Sequence, residues 1–310
     1  MTTIQSTPSS GPARLRYPAS EPQPPRRRRR RAPGAGLWKA SPLTYLTLVA
    51  AIILSIFPIY VMIIGATTSK GAINSVPPPL LPSSHFMENL RTVWANPSAN
   101  IGKGLANSII VASAITVSTV FFSTLAGFAF AKLRFKGKNA LLLLVLGSSM
   151  VPVQLGVIPL YLMMVKFGWR NHLAAVIIPF LITAFGIFMM RQYASQAVPD
   201  ELVEAARIDG CSTWRIYLSV VLPALRPAAS VLAIFTFLQT WNDFLWPLVA
   251  LQDPENPTVQ LSLRRLGTGY YTDYAQVFAG TSLAVLPLLV VFIIFGRQII
   301  GGIMEGALKA

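Results

Sequence analysis

The sequence predicts an all-α integral membrane protein of six transmembrane helices with both termini in the cytoplasm, and three observations carry that prediction. The chain is 53% hydrophobic and only 12% charged, with a mean hydropathy of +0.56. Apolar runs close to the roughly 20 residues that a bilayer demands recur at Leu43–Ala66, Leu105–Phe130, Ala140–Met164, Leu173–Met190, Pro227–Leu251 and Thr281–Ile300. Basic residues crowd the segments that fall inside when the N-terminus is cytoplasmic, among them Arg26 to Arg31, Lys132, Lys136, Lys138, Arg207 and Arg215. Few fall outside, which is the positive-inside pattern.

Residues 1–36 are rich in Pro, Ser, Gly and Arg and lack the apolar core of a cleavable signal peptide, so they are expected to form a disordered cytoplasmic tail. The Arg26–Arg31 run suits a topology anchor at anionic headgroups better than an RNA-binding segment. Residues 37–310 form the membrane domain. The net charge of +15 does not indicate nucleic acid, since the charge sits in loops between spans rather than on a basic folded surface.

After the first span, the longest outer loop contains "VPPPLLP" at Val76–Pro82, which forbids regular helix and is either a stiff surface for a partner or a plain connector. In the second span Ala114, Ser118, Ala126 and Gly127 read as packing positions, because small side chains let spanning helices approach. The third carries "MVPVQLGVIPLY" at Met150–Tyr161. There Pro152 and Pro159 each remove a backbone donor around Gln154, and such a broken helix is tolerated against a cavity or protein. In the fifth, Gln239, Asn242, Asp243 and Trp246 stand at i, i+3, i+4 and i+7, one face of a continuous helix. A carboxylate there normally faces protein or water, so these four and Gln154 are candidates for the substrate path. A buried hydrogen-bond network accounts for them equally well.

Between the fourth and fifth spans lies a polar loop, 199–223. Pro199, Asp200 and Glu201 start a helix, and Gly210 stops it. It is expected to be amphipathic, with Leu202 and Ala206 on one side and Glu201, Glu204 and Arg207 elsewhere. Ser212 or Thr213 caps a second short helix, expected to end near Pro223.

At this loop the sequence resembles the inner-membrane permeases of ATP-binding-cassette importers. The resemblance runs through Glu204-Ala205-Ala206, Asp209-Gly210-Cys211 and Val220-Val221-Leu222-Pro223, with Cys211 and Val220 where alanine and isoleucine are usual. "FGIFMMRQYASQAVPDELVEAARIDG" and "WNDFLWPL" are similar to the carbohydrate branch of that binding-protein-dependent family, the maltose-type MalG-like permeases. The resemblance implies the type I importer permease fold, with Glu204, Ala205, Ala206, Asp209, Gly210 and Pro223 in a coupling helix that docks on an ATPase. It also implies a second, MalF-like permease, two copies of the ATPase holding ATP and Mg, an extracytoplasmic solute-binding protein and a sugar substrate, in the inner membrane of a bacterium or archaeon. A permease for a non-sugar solute is the alternative.

No cofactor is expected on this chain, since the phosphate-cradling sequence G-x-x-x-x-G-K-[ST] is missing. One cysteine and two isolated histidines, His85 and His172, supply neither a metal site nor a catalytic set. Asp243 is the one acid well inside a span and no inverted repeat is evident, which argues against an ion-coupled secondary transporter.

Overall fold

The computed structural model describes residues 42–268 and 272–307, with the side chains of the last helix described as far as residue 296. The expected tail at 1–36 lies outside the described residues. The chain divides into two units, 1–54 and 55–310. The first contributes the opening half of α1 (Pro42–Thr67), in which every residue from Pro42 to Leu54 is exposed. A helix apolar on all sides suits a lipid environment.

The second unit contains no strand among its described residues. After α1 come a 3-10 turn (Ala72–Asn74), α2 (Phe86–Ala95) and the long α3 (Ile101–Lys132). Next are α4 (Lys138–Ser148), a 3-10 turn (Val153–Gly156), α5 (Val157–Lys166), α6 (Leu173–Ile177), another 3-10 turn (Ile178–Phe180) and α7 (Ala184–Ala197). The chain continues through α8 (Asp200–Ile208), α9 (Thr213–Ile216), a π turn (Tyr217–Val221), α10 (Leu222–Trp241), α11 (Leu245–Ala250), α12 (Val259–Leu266) and α13 (Tyr274–Ala307). Among the described residues, five stretches are long and apolar enough to cross a membrane: Pro42–Thr67, Ile101–Lys132, Leu173–Ala197, Thr213–Trp241 and Tyr274–Gly296. A sixth is possible only as a pair, Lys138–Ser148 with Val153–Lys166, bent by 86°.

The centre of this unit is α3, packed on α7 and α10. Gly127 explains how close α3 and α7 come: a Cβ there would lie 2.6 Å from the Met190 Cβ and 2.8 Å from the Arg191 nitrogen. Ala126 packs with Phe130, Leu142 and Ile187.

Three expectations from the sequence are corrected. The fourth span is not one helix over Leu173–Met190. Pro179 withholds a donor, and the chain breaks at 181–183 before Thr183 caps α7 by accepting from the Gly186 N–H at 3.1 Å. The freed Leu181 carbonyl accepts from the Ser118 hydroxyl at 2.8 Å, so Ser118 is a hydrogen-bonding position as well as a packing one.

The fifth span is not continuous over Pro227–Leu251. Its helix begins earlier and ends at Trp241, and α11 restarts at Leu245. Pro247 is the physical reason, since its missing N–H would have bonded the Asp243 carbonyl and its ring crowds that carbonyl. The single helical face expected for Gln239, Asn242, Asp243 and Trp246 is therefore interrupted.

The second loop helix does not stop near Pro223. It passes through the π turn into α10 as one helix, Thr213–Trp241, with Pro223 in the first turn of α10. Widening the helix by one residue per turn just before Pro223 makes room for a ring that a regular helix would reject.

Candidate functional site

The polar loop 199–223 is built from its glycine outward. Gly210 has φ +76°, a left-handed conformation that glycine adopts without a Cβ penalty. The Gly210 N–H reaches the Arg207 carbonyl at 3.0 Å and the Cys211 N–H reaches the Ala206 carbonyl at 2.9 Å. These are the two bonds of a Schellman closure, which favours an apolar contact between the residues it brings together. Cys211 and Ala206 are both half-buried against the same cluster. Cys211 therefore serves as a small apolar plug.

That cluster holds α8 to the body. Val203 is its anchor, 5% exposed, beside Phe128 of α3, Ala194 of α7, and Ile216, Tyr217 and Leu225. Leu202, expected on the same side as Ala206, is 53% exposed; the inward face of α8 is set by Val203 with Ala206. Tyr217 stacks on Phe128 with centroids 6.0 Å apart, and its hydroxyl meets the Thr124 hydroxyl at 2.9 Å. At the other end of α8, the nearly buried Lys132 ammonium contacts the exposed Asp200 carboxylate at 2.6 Å. Its hydrogen bond and positive charge hold the Asp200 carboxyl below the ordinary carboxylate value. Glu204, Ala205, Arg207, Ile208, Asp209 and Gly210 are all exposed. The loop thus presents a mixed charged and apolar surface on a rigid mount.

On the same unit a cavity of about 930 Å³ opens between the bent α4–α5 segment, α10 and α11. Gln154, Gln239, Asp243 and Trp246 all line it. Asn242 does not. Its amide donates to the Leu238 carbonyl at 2.8 Å, closing the end of α10, and its oxygen accepts from Gln260 at 3.5 Å. Asp243 lies half-buried against the N–H groups of Phe244, Leu245 and Trp246, where α11 begins. Trp246 is 4% exposed, donates its indole N–H to the Ala175 carbonyl at 3.0 Å and meets Phe180 edge-on. It is a wall of the cavity more than a free stacking surface. Sequence reasoning missed Thr236 and Thr240, which also line the cavity. Thr236 stands three residues before Gln239 and four before Thr240, the spacing of one helical face, and that was the available signal.

The end of the unit away from α8 is tied by polar side chains. Asn171 accepts from the Gln252 and Asp253 N–H groups at 2.8 and 3.1 Å, and Ser108 of α3 accepts from the Val259 N–H at 2.8 Å. Among the described residues, no group of three His, Cys, Asp or Glu side chains is placed to hold a metal ion.

Helices long and apolar enough to cross a membrane, a cavity with a partly polar wall and a rigidly mounted polar loop are features that a transport subunit requires. The chain belongs to the family of binding-protein-dependent transport system inner membrane components, whose model matches residues 120–300. It is therefore the multi-pass membrane component of an ATP-binding-cassette importer, a transport component and not an enzyme. Membership implies an ATPase, a substrate-binding protein and a second permease as partners.

Among curated relatives, the arabinooligosaccharides transport system permease protein AraQ of Halalkalibacterium halodurans is 37% identical over 203 residues, 66% of this chain and 72% of the relative. The lactose transport system permease protein LacG of Rhizobium radiobacter is 34% identical over 265 residues, 86% of this chain and 95% of the relative. The sn-glycerol-3-phosphate transport system permease protein UgpE of Escherichia coli (strain K12) is 30% identical over 268 residues, 84% and 95% of the two chains. A chain from the crystal structure of a bacterial ABC transporter that imports the acidic polysaccharide alginate aligns with a TM-score of 0.72 and 22% identity. The alignment covers 82% of this chain and 94% of that one, a likeness of fold.

Proposed function

We propose that this chain forms half of the transmembrane path for uptake of a sugar or oligosaccharide, powered by ATP hydrolysis in a partner. The observation that carries the reading is the exposed face of α8, with Glu204 at its middle, mounted through Val203 on a cluster shared with α3, α7 and α10. A partner that moves α8 would move three helices with it. Glu204 meets a basic group on the ATPase, Ala205 and Ala206 allow close approach, and Asp209, Gly210 and Pro223 shape the loop. Two ATPase copies holding ATP and Mg draw the paired loops together, and a second, MalF-like permease completes the path. ATP biases the two states of the path only through its differential affinity for them.

The same reading makes the bent pair Lys138–Ser148 and Val153–Lys166 one span, giving six, with both termini cytoplasmic in a bacterial or archaeal inner membrane. Two of the relatives above carry sugar transport in their names, which supports a carbohydrate. The glycerol phosphate relative supports the second reading, a non-sugar solute. Gln154, Gln239, Asp243 and Trp246 are the residues of this half that face the solute; Asn242 supports them from the end of α10.

The test is a mild-detergent pull-down of the tagged chain from its native membrane, wild type beside Glu204→Arg. Co-purification of a second permease and an ATPase, with the ATPase lost in the variant, is the expected result. A wild-type chain that comes out with neither, under conditions that preserve such complexes, would overturn the reading.

A further inference from the structure

The composition of the cavity wall limits what can enter it. Among the described residues that line it, Asp243 is the one ionisable group, and none is Lys, Arg or His. The other polar groups are neutral amides and hydroxyls, chiefly Gln154, Gln239, Thr236 and Thr240, set in walls that are mostly apolar. The two arginines of α12 are committed elsewhere: Arg264 sits 5.8 Å from the centre of the Phe244 ring, and Arg265 donates to the Pro254 and Asp253 carbonyls at 3.0 and 3.4 Å. An anion moved from water into such a space loses hydration and gains no cation in return, a cost of several kcal/mol per ion. A hydroxyl-bearing neutral solute loses far less, because amides, hydroxyls and a carboxylate all replace its hydrogen bonds to water.

We infer that this half of the path admits uncharged or amino-bearing polyhydroxy solutes and turns away anionic ones, such as phosphorylated or uronic acid saccharides, with Asp243 setting the preference. The inference rests on the carbohydrate reading above and narrows it. It separates this chain's cargo from that of two proteins it resembles, one named for glycerol phosphate and one for an acidic polysaccharide.

The experiment reads charge directly, in the assembled importer in membrane vesicles. A thiol is introduced as Gln239→Cys and, in a second chain, as Thr236→Cys; the parent, with Cys211 as its one cysteine, supplies the background. Cationic, neutral and anionic methanethiosulfonate reagents of similar size are compared, each rate divided by that reagent's rate with a free small thiol. The anionic reagent is expected to react about ten-fold more slowly than the cationic one, as for one like charge at close range in a partly hydrated site. Asp243→Asn should bring the two rates together, and Gln154→Lys should do the same by adding a cation where the Asn variant does not assemble.

Equal rates with Asp243 present, an unchanged ratio in both variants, or no reaction of the neutral reagent at either thiol would each overturn the inference. Uptake of a neutral disaccharide by the same importer with its binding protein is measured alongside. A charge ratio as expected with no saccharide uptake would fell the carbohydrate reading and leave the charge preference of the cavity standing.

Discussion

Replacing Val203 with alanine should loosen α8 without touching its exposed face. Val203 is 5% exposed in the cluster with Phe128, Ala194, Ile216 and Tyr217. Removing two buried carbons forfeits about 1.5 kcal/mol of transfer free energy. The space left behind adds up to about 1 kcal/mol, because Ala194 and the helix backbones cannot close it. A loss of about 2–2.5 kcal/mol should raise the opening equilibrium of α8 roughly 30- to 60-fold. Hydrogen exchange in the detergent-purified chain reads this at the Asp209, Gly210 and Cys211 amides, whose bonds to Ala205, Arg207 and Ala206 are lost when an undocked α8, too short to persist alone, unravels. Leu202→Ala, at a 53% exposed site, should change the same rates by less than about threefold. Equal acceleration in the two variants, or a larger effect at Leu202, would refute the anchoring argument.

Other perturbations follow from the same geometry. Gly127→Ala places a Cβ 2.6 Å from that of Met190 and should cost about 1–3 kcal/mol, seen as a lower unfolding temperature; Gly147→Ala, with nothing within 4 Å, should not lower it. Gly210→Ala meets no neighbour within 4 Å but must hold φ +76°, so it should cost about 1–2 kcal/mol of α8 closure, read by exchange at Cys211. Because the folded Asp200 carboxyl is held below its ordinary value by Lys132, its contribution is complete above the unfolded value and is lost only as pH falls through the lowered one. Exchange at the start of α8, corrected for intrinsic rates, should therefore be flat from about pH 5 to 8 and rise only in stronger acid. Trp246→Phe strands the buried Ala175 carbonyl and should cost about 1–3 kcal/mol, measured by thermal unfolding.

The apolar runs were legible because lipid selects on composition, and the α8 turn was legible because a left-handed closure calls for glycine. The proline-bearing segments were harder. Pro58, Pro227 and Pro287 stay inside continuous helices, while Pro179 and Pro247 accompany breaks. At Pro179 the freed carbonyl is that of Ala175, and the Trp246 indole takes it up from 71 residues away in sequence, a partner that no local pattern records. Pro223 misled for a related reason: a π turn ahead of it absorbs the ring. Of the cavity, Gln154 was named from a polar side chain between two prolines, and Gln239, Asp243 and Trp246 from polar and aromatic side chains at helical spacing. The periodicity used to join the last three failed at Asn242, where Pro247 already marked the interruption.

The continuity of Thr213–Trp241 has a mechanical meaning. Its 29 residues span about 43 Å at a rise of about 1.5 Å per residue. Tyr217, at the loop's mount, and Gln239, in the cavity wall, belong to one continuous helix, about 33 Å apart along its path. A tilt of about 10° about one of these points would sweep the other through nearly 6 Å, about the pitch of a helical turn. A lever of that length turns a small displacement at the α8 loop into a change of wall position on the scale of a sugar ring, with no relay of side chains in between.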